Sequence, residues 1–106
     1  MTFEHIDQIE AKEFAPGCWA KLIHTENMTV AHWHLEAGAE IPSHSHPHEQ
    51  VANVIEGEFE ITVNDATQVM TPGNIAVVAS DVVHYGKALT ACYIIDVFYP
   101  VREDYR

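Results

Sequence analysis

Positive charge is scarce in this sequence. Only five lysines and arginines stand against sixteen aspartates and glutamates, a formal net charge of −11 over 106 residues. The five, Lys12, Lys21, Lys87, Arg102 and Arg106, form no cluster. Such a chain repels polyphosphates and anionic bilayers, which argues against nucleic acid or a membrane surface as partner. An anionic ligand must therefore be held locally, against the field of the whole molecule. Cysteine is scarce too. Cys18 and Cys92 belong to no motif and read as buried free thiols, which fits a cytoplasmic protein. No apolar run is long enough to span a bilayer, and no basic stretch followed by an apolar one opens the chain. With 47% apolar and 20% charged residues, the composition is that of a folded chain and not of a disordered one. Residues 1–106 are long enough for one domain with one core that needs no disulfide.

Helical periodicity is almost missing. Residues 1–16 are a polar lead with scattered apolar positions, readable as a short helix around Ile6 and Ile9 or as a strand along a barrel edge or a partner subunit. From there on, short runs with a period of two alternate with turn signals. Strands are expected at Trp19–His24, Met28–Glu36, Gln50–Glu56, Glu58–Val63, Ala66–Met70, Val82–Tyr85 and Leu89–Tyr99, with Ile75–Ala79 as a short buried one. Ala15-Pro16-Gly17, Glu26-Asn27, Asn64-Asp65 and Thr71-Pro72-Gly73 supply the turns. Many short strands and no helix predict an all-β sandwich or barrel. A jelly roll solves the edge problem with two sheets and holds a pocket between them.

The chemistry concentrates between Gly38 and Gly57. His44, His46 and His48 alternate with single residues, and Gln50 follows two positions later. Residues two apart in an extended chain point to one face, at about 6–7 Å per step. Pro47 disfavours a helix and biases His46 towards extended geometry. Imidazoles facing one way with an amide oxygen nearby suit a borderline divalent ion, and manganese, iron, nickel, cobalt and zinc all accept these donors. His32 and His34 share the spacing but flank the bulky Trp33 and lack the glycine and proline context, so they read as surface or pocket-rim residues.

The last long apolar run contains one acid. Cys92, Ile94, Asp96 and Phe98 share a strand face. A carboxylate there must face a polar pocket, find a partner or titrate high. Asp96 is accordingly the candidate general acid/base, with Phe98 as a pocket wall.

The spacing of Gly38, His44, His46, Gln50 and Gly57 resembles the first motif of the cupins, with Gln50 where most carry a glutamate. Pro72-Gly73 and His84 resemble the second, although Ala79, Asp81 and Ala88 stand where a proline, a glycine and an asparagine are usual. The resemblance implies a double-stranded β-helix, or jelly-roll barrel, with His44, His46, Gln50 and His84 holding one divalent metal ion. It ranks Gln50 above His48 as a ligand and leaves His48 a supporting or substrate-binding role. Gln50 in place of a carboxylate keeps the ion's full charge of about +2, a stronger Lewis acid.

Two longer matches are more specific. His44-Ser-His-Pro-His-Glu-Gln50 and the ending Asp96-Val-Phe98-Tyr-Pro-Val-Arg102-Glu-Asp-Tyr105 are similar to signatures of the KdgF-type cupins, with Tyr99 where a serine is common. That resemblance implies conversion of 4,5-unsaturated monouronates, from pectin or alginate breakdown, to linear ketonised sugars. In that reaction Asp96 moves protons, Arg102 clamps the carboxylate and Phe98 and His48 shape the sugar site; without the resemblance, Arg102 reads as a surface salt bridge with Glu103 or Asp104. A homodimer is expected through the sheets, with the apolar C-terminal and N-terminal strands as the candidate contact. The competing functions are a metal-dependent dioxygenase and a non-catalytic sugar-binding cupin, and Asp96 speaks against the latter.

Overall fold

A computed structural model describes all residues, Met1–Arg106. After a 3-10 turn at Ile6–Gln8 the chain forms ten strands: β1 (Lys12–Ala15), β2 (Cys18–His24), β3 (Thr29–Leu35), β4 (Glu40–His44), β5 (Glu49–Glu56), β6 (Phe59–Val63), β7 (Ala66–Met70), β8 (Ile75–Val78), β9 (His84–Ala88) and β10 (Cys92–Tyr99). They build two antiparallel sheets. One has six strands in the order β1-β2-β3-β10-β5-β8, and the other has four in the order β4-β9-β6-β7. This is the expected all-β jelly roll.

The core lies where the inward faces meet. On β10, Cys92, Ile94, Asp96 and Phe98 are buried, while Tyr93, Ile95 and Val97 are half-buried on the outer face. On β3, Thr29, Ala31, Trp33 and Leu35 turn inward with the same alternation. Phe59, Ile61 and Met70 of the smaller sheet close over them. The register then decides where space remains. Asp96 sits opposite Ala31 on one side and Ala52 on the other. Two methyl side chains flanking one carboxylate leave room for a cavity at the middle of the sheet.

Turns follow local chemistry. Asn64 and Asp65 both take left-handed conformations, at φ 46° and 70°, and join β6 to β7 in a two-residue hairpin. Gly57 has φ 88°, and a Cβ there would lie 2.2 Å from the Ala91 carbonyl oxygen, so no other residue fits. Cys18 and Cys92 are both buried and unpaired. Each lies opposite Leu35, from strands on either side of β3. Two strand spacings separate their backbones by about 10 Å, beyond disulfide reach.

Three expectations need revision. Ile75–Val78 is an edge strand and not a buried one: Ile75 and Val77 are 62% and 72% exposed, because no strand or layer lies beyond them. Val82-Val83 is an irregular link after the Ser80-Asp81 turn, and the strand that bears the last histidine starts at His84. β4 carries His44 as a strand of its own, so the chain from His44 to Gln50 is no continuous extended run. It crosses from the smaller sheet to the larger through an irregular segment, residues 45–48. The polar lead forms both expected elements, a 3-10 turn and then the edge strand β1.

Candidate metal centre

The two sheets bring three imidazoles together at one end of the barrel. His44 on β4 pairs with His84 on β9, with ring centroids 4.2 Å apart. His46, in the crossing segment, lies 4.9 Å from His84 and 5.5 Å from His44. A ligand atom from each of the three lies within 4.8 Å of the others. The segment is tied in place by the turn before β9: Asp81 N donates to His46 O at 2.8 Å, and Ser80 Oγ donates to Pro47 O at 2.6 Å. Asp81 adopts φ 64° to do so. A left-handed position explains why glycine is usual there and why aspartate, which tolerates it, replaces glycine.

Each of the three rings is oriented by its own backbone. His44 Nδ1 meets Pro42 O at 2.7 Å, His46 Nδ1 meets His48 O at 2.9 Å, and His84 Nδ1 meets Val82 O at 2.9 Å. A carbonyl only accepts, so Nδ1 carries the hydrogen and Nε2 presents a lone pair. Burial lowers the pKa of His84, and burial together with the Arg102 charge lowers that of His46 to about 4. Both rings are then neutral near pH 7, as metal ligands must be. His84 Nε2 is buried and has no partner in the protein. His46 Nε2 lies 3.1 Å from Gln50 Oε1. Two acceptors at that distance repel, but bonds of about 2.1 Å to one ion at right angles would set donors about 3.0 Å apart. The donor set therefore fits a divalent cation.

A cavity of about 280 Å³ opens beside these groups. Fourteen of its twenty lining residues are apolar, so the few polar ones fix its chemistry: His44, Gln50, His84 and Asp96. Burial drives the Asp96 pKa up to about 7, against the opposing pull of Gln50, Trp33 and Arg102. Its Oδ1 has no hydrogen-bond partner. Arg102 is 4% exposed, with its guanidinium 3.9 Å above the Tyr105 ring and 4.7 Å above Phe98. Its Nε and Nη2 donate to Asp104 at 3.0 and 2.8 Å, and Nη1 is buried without a partner. Its backbone N donates to Thr29 Oγ1 at 2.9 Å, which anchors the chain end to β3.

Comparison with known proteins then places the fold. A family model described as the cupin domain matches residues 31–98, most of the chain. This chain belongs to the cupin family. The cupin superposes over its full length on an RmlC-like cupin from Shewanella frigidimarina, at 30% identity, with a TM-score of 0.94 and 96% of that chain covered. It is likewise similar to KdgF from a Halomonas species, at 26% identity and a TM-score of 0.93, with 100% of this chain and 99% of the other covered. Salicylate 1,2-dioxygenase from Pseudoaminobacter salicylatoxidans shares the fold alone, at 22% identity and a TM-score of 0.78 over 82% of the cupin and 26% of the enzyme. No curated protein sequence matches the cupin significantly.

Of the residues expected at the site, the cupin brings His44, His46, Gln50, His84, Asp96 and Phe98 to one end of the barrel, with the Phe98 ring 5.6 Å from that of His46. His48 does not line the cavity, and its part in the centre is its carbonyl, which orients His46. His32 and His34 lie on the outer face against Tyr93, with the His34 ring stacked at 4.7 Å. Asp104 was expected only as a salt-bridge partner of Arg102, and Tyr105, Phe14 and the indole nitrogen of Trp33 were given no role by the sequence. Only their meeting in space, across the first and last segments of the chain, marks them.

Proposed function

We propose that this cupin domain, residues 1–106, opens the ring of 4,5-unsaturated monouronates and releases linear ketonised sugars. One observation carries the reading. A buried carboxylate with an unpartnered oxygen and a pKa near neutrality lies in the cavity that His44 and His84 line, two of the three imidazoles turned to hold a cation. The full-length similarity to KdgF, together with the two sequence signatures, supports it.

A divalent ion held by His44, His46, Gln50 and His84 would supply a Lewis acid beside the ring oxygen and the carboxylate. The protein's own groups do the rest. Arg102 Nη1 donates to the substrate carboxylate while Asp104 holds the remainder of the guanidinium rigid. Phe98, under Arg102, gives the sugar an apolar wall. Asp96 takes the proton of the anomeric hydroxyl. The C1–O bond to the ring oxygen breaks, the aldehyde forms at C1, and the electron pair stays on the former ring oxygen, which leaves as the enolate of C4 and C5. Asp96 returns a proton to C4 and the ketone results. The step is an isomerisation and needs no co-reactant. A carboxyl titrating near 7 suits both halves of this transfer.

The same reading places a second copy of the chain on the outer face of the larger sheet. There Ile75 and Val77 are exposed and Val51, Val97 and Val30 are half-buried beside them. For a chain of net charge −11, an apolar face is where self-association meets least repulsion. Buried free thiols at Cys18 and Cys92 support a cytoplasmic setting.

The test is proton NMR in D2O of the unsaturated monouronate with metal-loaded protein. The reading expects one deuteron at C4, a hydrated aldehyde at C1 and no oxygen uptake. An intact ring at the spontaneous rate refutes it. Oxygen consumption with ring cleavage would support a dioxygenase instead.

A further inference from the structure

Two buried polar atoms in the cavity wall make no hydrogen bond of ordinary length within the protein, Trp33 Nε1 and Asp96 Oδ1, although the indole is near enough to pull the carboxyl pKa down. Both side chains line the same cavity. They are also neighbours. In the register of β3 and β10, Trp33 lies opposite Ile94 and Asp96 opposite Ala31, so the two sit diagonally on one inward face. The indole is fixed in position: Trp33 is 6% exposed, with Phe14 edge-on at 5.3 Å and Tyr105 edge-on at 6.5 Å. Apart from Gln50, His44 and His84, the wall around this pair is mostly apolar, with Val54, Phe59, Ile61, Met70 and Ile94.

An indole N–H can only donate, and an ionised carboxylate can only accept. A buried donor or acceptor left unsatisfied costs about 1–3 kcal/mol, so folded proteins keep such groups where something else completes them. A hydroxyl group completes both at once, since its oxygen accepts while its hydrogen donates.

We propose that Trp33 Nε1 and Asp96 Oδ1 together read one hydroxyl of the ligand, the indole donating to the hydroxyl oxygen and the carboxylate accepting its hydrogen. With the buried, unpartnered Nη1 of Arg102 left for a carboxylate, the ligand class is then a hydroxylated carboxylic acid. A carboxylic acid of similar size without hydroxyls leaves both atoms unpaired and is rejected. Under the ring-opening reading the hydroxyl is the anomeric one, and Trp33 stays on its oxygen while the proton leaves to Asp96. That assignment rests on the ring-opening reading, whereas hydroxyl recognition does not.

The test uses zinc-loaded, ¹⁵N-labelled protein and two probes, D-galacturonate and cyclohexanecarboxylate. The chain has only two tryptophans, Trp19 and Trp33, so two indole N–H resonances report separately, and Trp19→Phe assigns them. Galacturonate should move the Trp33 resonance downfield and leave that of Trp19, at the outer surface, in place. Cyclohexanecarboxylate should not move Trp33 downfield. In calorimetry, Trp33→Phe should weaken galacturonate binding roughly 3- to 10-fold, the worth of one neutral hydrogen bond. It should shift any cyclohexanecarboxylate binding by less than about 2-fold. A Trp33 resonance unmoved at millimolar galacturonate overturns the inference. So does equal weakening of both probes. The outcomes separate cleanly from the ring-opening reading: the spectral and binding split without turnover of unsaturated monouronate keeps this inference and removes that one.

Discussion

Replacing Asp96 by asparagine should stabilise the metal-free protein, and only at high pH. Asp96 is 6% exposed, and its pKa rises from 3.8 to about 7 in the fold. Between those values the folded chain keeps a proton that the unfolded chain has lost. Stability therefore falls as pH rises through this window. Below about pH 4 the carboxyl is protonated in both states and the difference vanishes. At about 1.4 kcal/mol per pKa unit, the full window is worth at most about 4 kcal/mol, of which about 3 kcal/mol falls between pH 5 and pH 8. Asparagine has nearly the same shape and carries no charge at any pH. The stability of Asp96→Asn relative to wild type should grow by about 2–3 kcal/mol over that range. Urea unfolding in excess chelator at pH 5, 6, 7 and 8 measures it. The buried histidines titrate in both proteins and cancel in the difference. A difference that stays flat with pH, or that turns against asparagine at pH 8, would refute the claim that burial dominates this carboxyl.

The candidate metal centre makes a sharper demand on four histidines that look alike in sequence. His44→Ala, His46→Ala and His84→Ala should each lower metal affinity at least about 100-fold, as read by metal analysis after dialysis. His48→Ala should retain about one ion per chain, because its backbone carbonyl and not its ring orients His46. Gln50→Glu should lose metal to chelator more slowly, since it adds a charged ligand. The new charge weakens the Lewis acid and raises the Asp96 pKa further. Turnover should fall on the order of 10- to 100-fold, with the pH–rate profile displaced upwards.

The sequence carried the site further than it carried the architecture around it. Strands that are half-buried, such as β3 and β10, announce themselves by alternation. The ligand positions were legible because glycine and proline bracket His44 to Gln50. The inward parity of Asp96 and Phe98 was legible for the same reason as β10 itself. What stayed hidden depends on pairing between distant segments. Ile75 and Val77 look buried in one dimension and are exposed because β8 forms a sheet edge. His48 has the right parity for an unbroken strand, but residues 45–48 leave one sheet and enter the other, which breaks the alternation. Arg102 had two readings, a bidentate clamp on a substrate and a salt bridge with an acidic neighbour, and both apply in part. Two of its nitrogens are in fact held by Asp104, only two residues on, and Nη1 remains. Ala52, which lines the cavity beside Asp96, is unremarkable until the register sets it and Ala31 on either side of that carboxylate.

The central claim is that Asp96 and a cation held by the three imidazoles act together on an unsaturated uronate ring. The most direct measurement is the initial rate of loss of the enol-ether absorbance of 4,5-unsaturated galacturonate. Metal-loaded wild type, chelated wild type and metal-loaded Asp96→Asn are compared at pH 7. Fast loss by the first, and loss near the spontaneous rate by the other two, is the predicted result. A metal-loaded wild type no faster than buffer, or an Asp96→Asn protein as fast as wild type, would contradict it.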